Sequence, residues 1–181
     1  MTGAGLRPFA FVDEALAPCA AVLGPDRQGY RNHVQRVLHH FVALSGGEAA
    51  VPLAVEVAAP LHDLGIWTAR SFDYIEPSVD LALQRLLRIG RDDLRDEVAL
   101  LIREHHRIGR YRGVHATTVE NYRRADWIDV SLGVLRFGLP LAHVRAVRRA
   151  FPDAGFHARL AQLTLRQCLR TPWRPLPMVH W

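Results

Sequence analysis

The stretch "DRQGYRNHVQRVLHHFVALSGG", residues 26–47, decides the fold class of this chain. Tyr30, Val34, Val37, Leu38, Phe41 and Leu44 recur mostly at spacings of three and four, which gathers them on one face of a helix. Gly46 and Gly47 then end the run. His33 sits at the inner edge of that face, beside Val34 and one turn before Val37, where a lone polar group is costly to bury.

The same period continues outward, and almost nothing alternates as a strand should. Residues 48–65, "EAAVPLAVEVAAPLHDLG", read as a buried helix kinked at Pro60 and stopped by Gly65. "WTARSFDYIEPS" reads as a loop, and Pro77-Ser78 opens the helix "SVDLALQRLLRIG". Asp92 or Asp93 can cap the next helix, whose apolar stripe is Leu94, Val98, Leu101, Ile102 and His105. After the basic loop "RIGRYRGVHA", Thr117 and Glu120 form a capping box for "TVENYRRADWIDVSLGVL". Pro140 and Asp153 start two further helices, and the three prolines of "TPWRPLPMVHW" predict an extended strap. Its tryptophans, Trp173 and Trp181, are expected to pack on the domain or on a partner subunit. The expected architecture is all-α, a single-domain helical bundle. It comprises an N-terminal helical segment (1–24), the main domain (25–170) and a Pro-rich tail (171–181).

Length and composition fit that architecture. The 181 residues, 49% hydrophobic and 23% charged, suffice for one domain with a sizeable core. No uncharged run approaches the ~18 residues of a membrane span, so no membrane partner is expected. The first residues lack a basic start followed by an unbroken apolar block, so no signal peptide is expected either. Cys19 and Cys168 stand far apart and read as free thiols of a cytoplasmic protein. All 23 basic residues are arginine, which excludes chemistry through a lysine Schiff base or lysine general base. The net charge of +5 suits a small anionic substrate. The arginines are scattered without aromatic interleaving, which argues against a nucleic-acid polymer as partner. A homo-oligomer is left open.

Titratable side chains recur on the inward faces. His105 completes an apolar stripe with His106 beside it. Asp126 follows Val119 by seven and Tyr122 by four, and Asp129 lies one turn further on. His62-Asp63 closes an apolar run. Singly, each has an ordinary structural reading, a satisfied core histidine or a capping aspartate. Jointly, His33, His62-Asp63 and Asp126 come from three helices. Two imidazoles and two carboxylates suit a borderline or hard divalent metal, and paired buried carboxylates require a cation. The order His…His-Asp…Asp, with "LHDLG" at a helix end and "ADWID" downstream, resembles the HD-domain superfamily of metal-dependent phosphohydrolases over residues 30–130. That resemblance implies an all-α bundle with His33, His62, Asp63 and Asp126 holding one divalent ion (Mn, Fe, Co, Ni, Zn or Mg). It also implies hydrolysis of a phosphomonoester or nucleotide by a metal-activated water, which Asp63 helps to orient.

The departures narrow this reading. Members of the superfamily often continue the dipeptide with a hydrophobic residue, glycine and lysine, and 5′-nucleotidase-like members place a glutamate three residues after the aspartate. Ile66 stands at that position here. "REHHRIGRYR" is the second informative stretch. Histidine pairs at this place occur in two-metal members, but residues 64–104 contain no histidine. A second metal would therefore draw on Asp73, Glu76 or Asp80. His105 or His106 is expected to donate a proton or bind the substrate anion, and Arg103, Arg107 and Arg110 to clamp phosphate. Tyr74 and Glu76 could line the pocket mouth. His39 and His40 are expected to be inert, and His115, His143, His157 and His180 to lie at the surface or in loops. The competing expectations are a di-iron HD-fold oxygenase and a non-catalytic domain that binds a nucleotide or partner.

Overall fold

A computed structural model describes residues 6–47, 51–173 and 176–180. The helical period of the sequence becomes α1 (Ala10–Leu16), α2 (Ala20–Leu23), α3 (Arg27–Leu44), α4 (Leu53–Ala58) and α5 (Gly65–Thr68). These are followed by α6 (Ile75–Arg88), α7 (Arg95–Glu104), α8 (Ala116–Val130), α9 (Leu141–Ala150) and α10 (Phe156–Arg170). The fold is all-α. Among the described residues there is no strand, only an isolated bridge between Arg107 and His180. No helix there is long and apolar enough to cross a membrane.

Helix α3 is the central post. Tyr30, Val34, Val37, Leu38 and Phe41 are buried as their spacing requires, and so are Asn32, His33, Gln35, Arg36 and His40. A helix buried on nearly every side must find partners for its polar groups. Gln35 meets both backbone groups of Phe9, and Asn32 donates to the Pro152 carbonyl. Helix α3 packs chiefly on α8, while α7 packs between α4, α6 and α8. Val12, Leu16 and Leu23 near the N-terminus and Met178 in the tail belong to the same hydrophobic core as Tyr30 and Leu38.

Several local expectations are overturned. Gly65 begins α5 instead of ending a helix: α4 stops at Ala58, and residues 59–64 form turns that carry His62 and Asp63. A Cβ at Gly65 would lie 2.4 Å from the Tyr74 carbonyl oxygen and 2.8 Å from Ser78 Oγ. The glycine is therefore required by close packing of α5 on the start of α6. Helix α6 begins at Ile75, with Pro77 inside its first turn, where no intrahelical donor is needed. Thr117 and Glu120 form no capping box. His115 occupies the N-cap of α8, and Glu120 instead accepts hydrogen bonds from the Tyr111 amide, Arg123 and Arg124. Trp173 is 82% exposed and does not pack on the domain, and Trp181 lies outside the described residues.

Candidate metal centre

Three elements converge behind the turn at 59–64. Helix α3 supplies His33, the turn supplies His62 and Asp63, and α8 supplies Asp126; all four are buried. His33 Nε2 lies 3.1 Å from His62 Nε2 and 3.5 Å from Asp126 Oδ1. His62 Nε2 lies 3.3 Å from Asp63 Oδ2 and 3.7 Å from Asp126 Oδ1. The C-terminal end of α7 adds two more side chains. His105 Nε2 is 3.3 Å from Asp63 Oδ1, and His106 Nδ1 is 3.4 Å from Asp126 Oδ2. Three overlapping triads result: His33–His62–Asp126, His62–Asp63–His105 and His105–His106–Asp126.

Three of the four histidines are held from behind. His33 Nδ1 meets Asp129 Oδ2 at 2.7 Å, His62 Nδ1 the Ala59 carbonyl at 2.7 Å, and His105 Nδ1 the Ile102 carbonyl at 2.6 Å. A carbonyl can only accept, so His62 and His105 carry a proton on Nδ1 and turn Nε2 inward. The Asp129 carboxylate does the same for His33. The two Nε2 atoms thereby lie 3.1 Å apart between carboxylates, a contact that is favourable only with a cation there, either an added proton on His62 or a metal ion. Asp63 Oδ1, His105 Nε2 and both Asp126 oxygens are buried without a hydrogen-bond partner. Ligand atoms about 2.1 Å from one ion are themselves separated by about 3.0–3.4 Å at octahedral or tetrahedral angles, close to the separations found here. The donor set fits a divalent metal.

The titration of the cluster shows the same demand. Burial opposes charge on His62, yet Asp63 and Asp126 push it up to about 10, so that a proton fills part of the cationic role. Burial opposes ionisation of Asp63 and Asp126 as well, but their histidine neighbours hold both below the usual carboxylate range. His33 is lowered by burial despite Asp129. Burial and the neighbouring His105 drop His106 to about 3, which keeps its imidazole neutral.

Asp129 is the residue whose role the sequence did not declare. Its Oδ1 takes Arg36 Nε at 2.5 Å, and its Oδ2 takes both Arg36 Nη2 at 2.8 Å and His33. The paired aspartates at i and i+3 in "ADWID" were the available signal, since that spacing puts both on one face of α8. His40 is fully buried outside the cluster, with Nδ1 3.3 Å from His143 Nε2. His157, expected at the surface or in a loop, lies on α10 and contacts Asp153 and the Asp129 carbonyl.

The cluster opens on a cavity of about 260 Å³ through Asp63 and His106. Its walls are largely apolar, with Phe72, Tyr74, Trp127 and Met178 among them, and the Tyr74 hydroxyl is 2.8 Å from His106 Nε2. Arg103, Arg107 and Arg110 are not brought to it. Arg103 forms an exposed bidentate pair with Glu76, Arg107 pairs with Glu104, and Arg110 lines a separate groove beside Tyr111. Asp73, Glu76 and Asp80 are exposed and take no part in the cluster, whereas Tyr74 does reach the cavity. No family model matches this chain, and no curated protein or solved structure matches it significantly.

Proposed function

We propose that this protein is a metal-dependent hydrolase of the HD type, acting on a compact phosphate ester. The observation that carries the reading is the set of inward acceptors left by His33, His62, Asp63 and Asp126, adjoining a cavity that Asp63 and His106 reach. His33, His62, Asp63 and Asp126 would hold a divalent ion, which would supply a water of lowered pKa and polarise a phosphoryl oxygen. Asp63, kept ionised by its histidine neighbours, presents Oδ1, which lies 3.3 Å from His105 Nε2, as acceptor for the water's proton. The Tyr74–His106 pair stands where a leaving oxygen can be protonated, with Tyr74 kept as a phenol by burial and the Asp63 charge. Among the described residues no arginine lines the cavity, and a bound cation there would balance charge on a small phosphomonoester. Turnover of a panel of phosphomonoesters and nucleotides with Mn, Co, Ni or Mg tests this, with His62→Ala as control. Metal-dependent turnover that vanishes in His62→Ala is expected. A metal-loaded protein that hydrolyses nothing on the panel overturns the reading.

A second reading, a di-iron oxygenase, is favoured by the surplus of ligands. Six side chains in three triads exceed what one ion needs, and His105 and His106 supply the second ion's nitrogens without Asp73, Glu76 or Asp80. Two irons per chain after growth on iron, with oxygen consumption, would select it; one metal per chain excludes it.

A further inference from the structure

The arginines absent from the metal cavity gather elsewhere. A cleft of about 490 Å³ lies between the turn after α5 and one face of α10, and four arginines line it: Arg70, Arg159, Arg166 and Arg170. Among the described residues no acidic side chain lines the cleft. Arg159 pairs with Asp26 at 3.0 Å, but Arg70, Arg166 and Arg170 make no ion pair among the described residues. Arg166 and Arg170 stand four apart on one helix, a like-charge spacing that disfavours the helix unless an anion lies between them. The floor is aromatic. Trp67, buried with its indole N–H on Asp26, and the partly buried Phe72 both line it. Phe72 is also a wall of the metal cavity, so the two spaces are neighbours.

We propose that this cleft is a binding site for a phosphate-bearing anion with a planar ring, of the nucleotide class. Guanidinium forks match phosphate oxygens bidentately, and an aromatic floor accepts the ring. The cleft volume is within the range of small-molecule sites. The ligand is either a separate effector or the remote part of a substrate whose reacting end passes Phe72, and both present the same chemistry here. The site does not rest on the hydrolase reading, because none of its arginines belongs to the metal cluster.

The test is calorimetric titration of the full chain with ADP and with inorganic pyrophosphate, after treatment with a chelator. Arg166→Ser/Arg170→Ser is the variant, and Leu169→Ser, exposed on the same helix outside the cleft, is the control. Both probes should bind the parent and Leu169→Ser alike. Binding to the double variant should be roughly tenfold weaker or worse, and parent binding should weaken with added salt. Absence of binding to the parent, or equal binding to the double variant, overturns the proposal. Adding metal then separates the two sources: consumption of ADP identifies a substrate, and binding without consumption an effector. If no metal binds and no ester turns over while ADP still binds through the arginines, only the hydrolase reading fails.

Discussion

Asp129→Asn is the perturbation that most directly tests how the centre is built. Asp129 and Arg36 are each 1% exposed, and the carboxylate takes two guanidinium hydrogen bonds at 2.5 and 2.8 Å. Burial works against its charge, but hydrogen bonds from His33 and Arg36 hold it well below the usual carboxylate range. An amide keeps the shape and removes the charge, leaving Arg36 buried with one asparagine acceptor, the Phe151 and Pro152 carbonyls at 3.1 and 3.3 Å, and the Asp153 carboxylate at 4.0 Å. Breaking a buried pair from one side costs about 3–5 kcal/mol, and an asparagine that still accepts one bond should fall near the lower end. That is a large part of a domain's total stability of about 5–15 kcal/mol. The amide also ceases to fix the His33 tautomer, which should lower metal affinity roughly 10- to 100-fold. Urea unfolding followed by circular dichroism in chelator measures the first effect, and calorimetric titration with Zn or Mn the second. The double change Arg36→Met/Asp129→Leu should restore part of the stability but none of the metal affinity, because His33 stays unoriented. If Asp129→Asn unfolds within about 1 kcal/mol of the parent and binds metal within about threefold, Asp129 is not the support described here.

Two further predictions concern groups outside the ligand set. Burial drops His40 to about 3, below its unfolded value of about 6.5. The unfolded chain therefore takes up this proton first, and stability is lost as pH falls from about 6.5 towards 3, by about 2 kcal/mol at pH 5. His40→Leu should lose about 2 kcal/mol less than the parent between pH 7.5 and 5 in urea unfolding; equal losses would remove His40 as the cause. Gly65→Ala places a methyl 2.4 Å from the Tyr74 carbonyl oxygen, and the backbone there has little room to yield. A cost of about 1–3 kcal/mol, or a Tm lower by several degrees, is expected together with weaker metal binding, because Asp63 is two residues away. An unchanged Tm would show that α5 and α6 can separate freely.

The sequence by itself determined the all-α class, the inward face of α3 and the order of the inward polar residues, but not the break between α4 and α5. Helical period is a local property, so Tyr30, Val34, Leu38 and Phe41 declare one face of α3, and a histidine at its edge declares itself by its cost. The resemblance to the HD-domain superfamily implied that His33, His62-Asp63 and Asp126 converge, and the structure brings their ring nitrogens and carboxylate oxygens to within 3.1–3.7 Å. Tertiary structure alone decided where the other charged side chains go. Arg103, Arg107 and Arg110 are near His105 and His106 in sequence, yet pair with Glu76 and Glu104 or line a separate groove. Arg166 and Arg170, far away in sequence, share a cleft whose wall Phe72 is also a wall of the metal cavity. Asp129 reaches His33 across 96 residues, and Gly65 is required by a carbonyl of the following helix. A buried apolar stripe has one solution that the local chain dictates. A long charged side chain or a close backbone contact depends on which distant segment arrives beside it, and that is settled only when the whole chain packs.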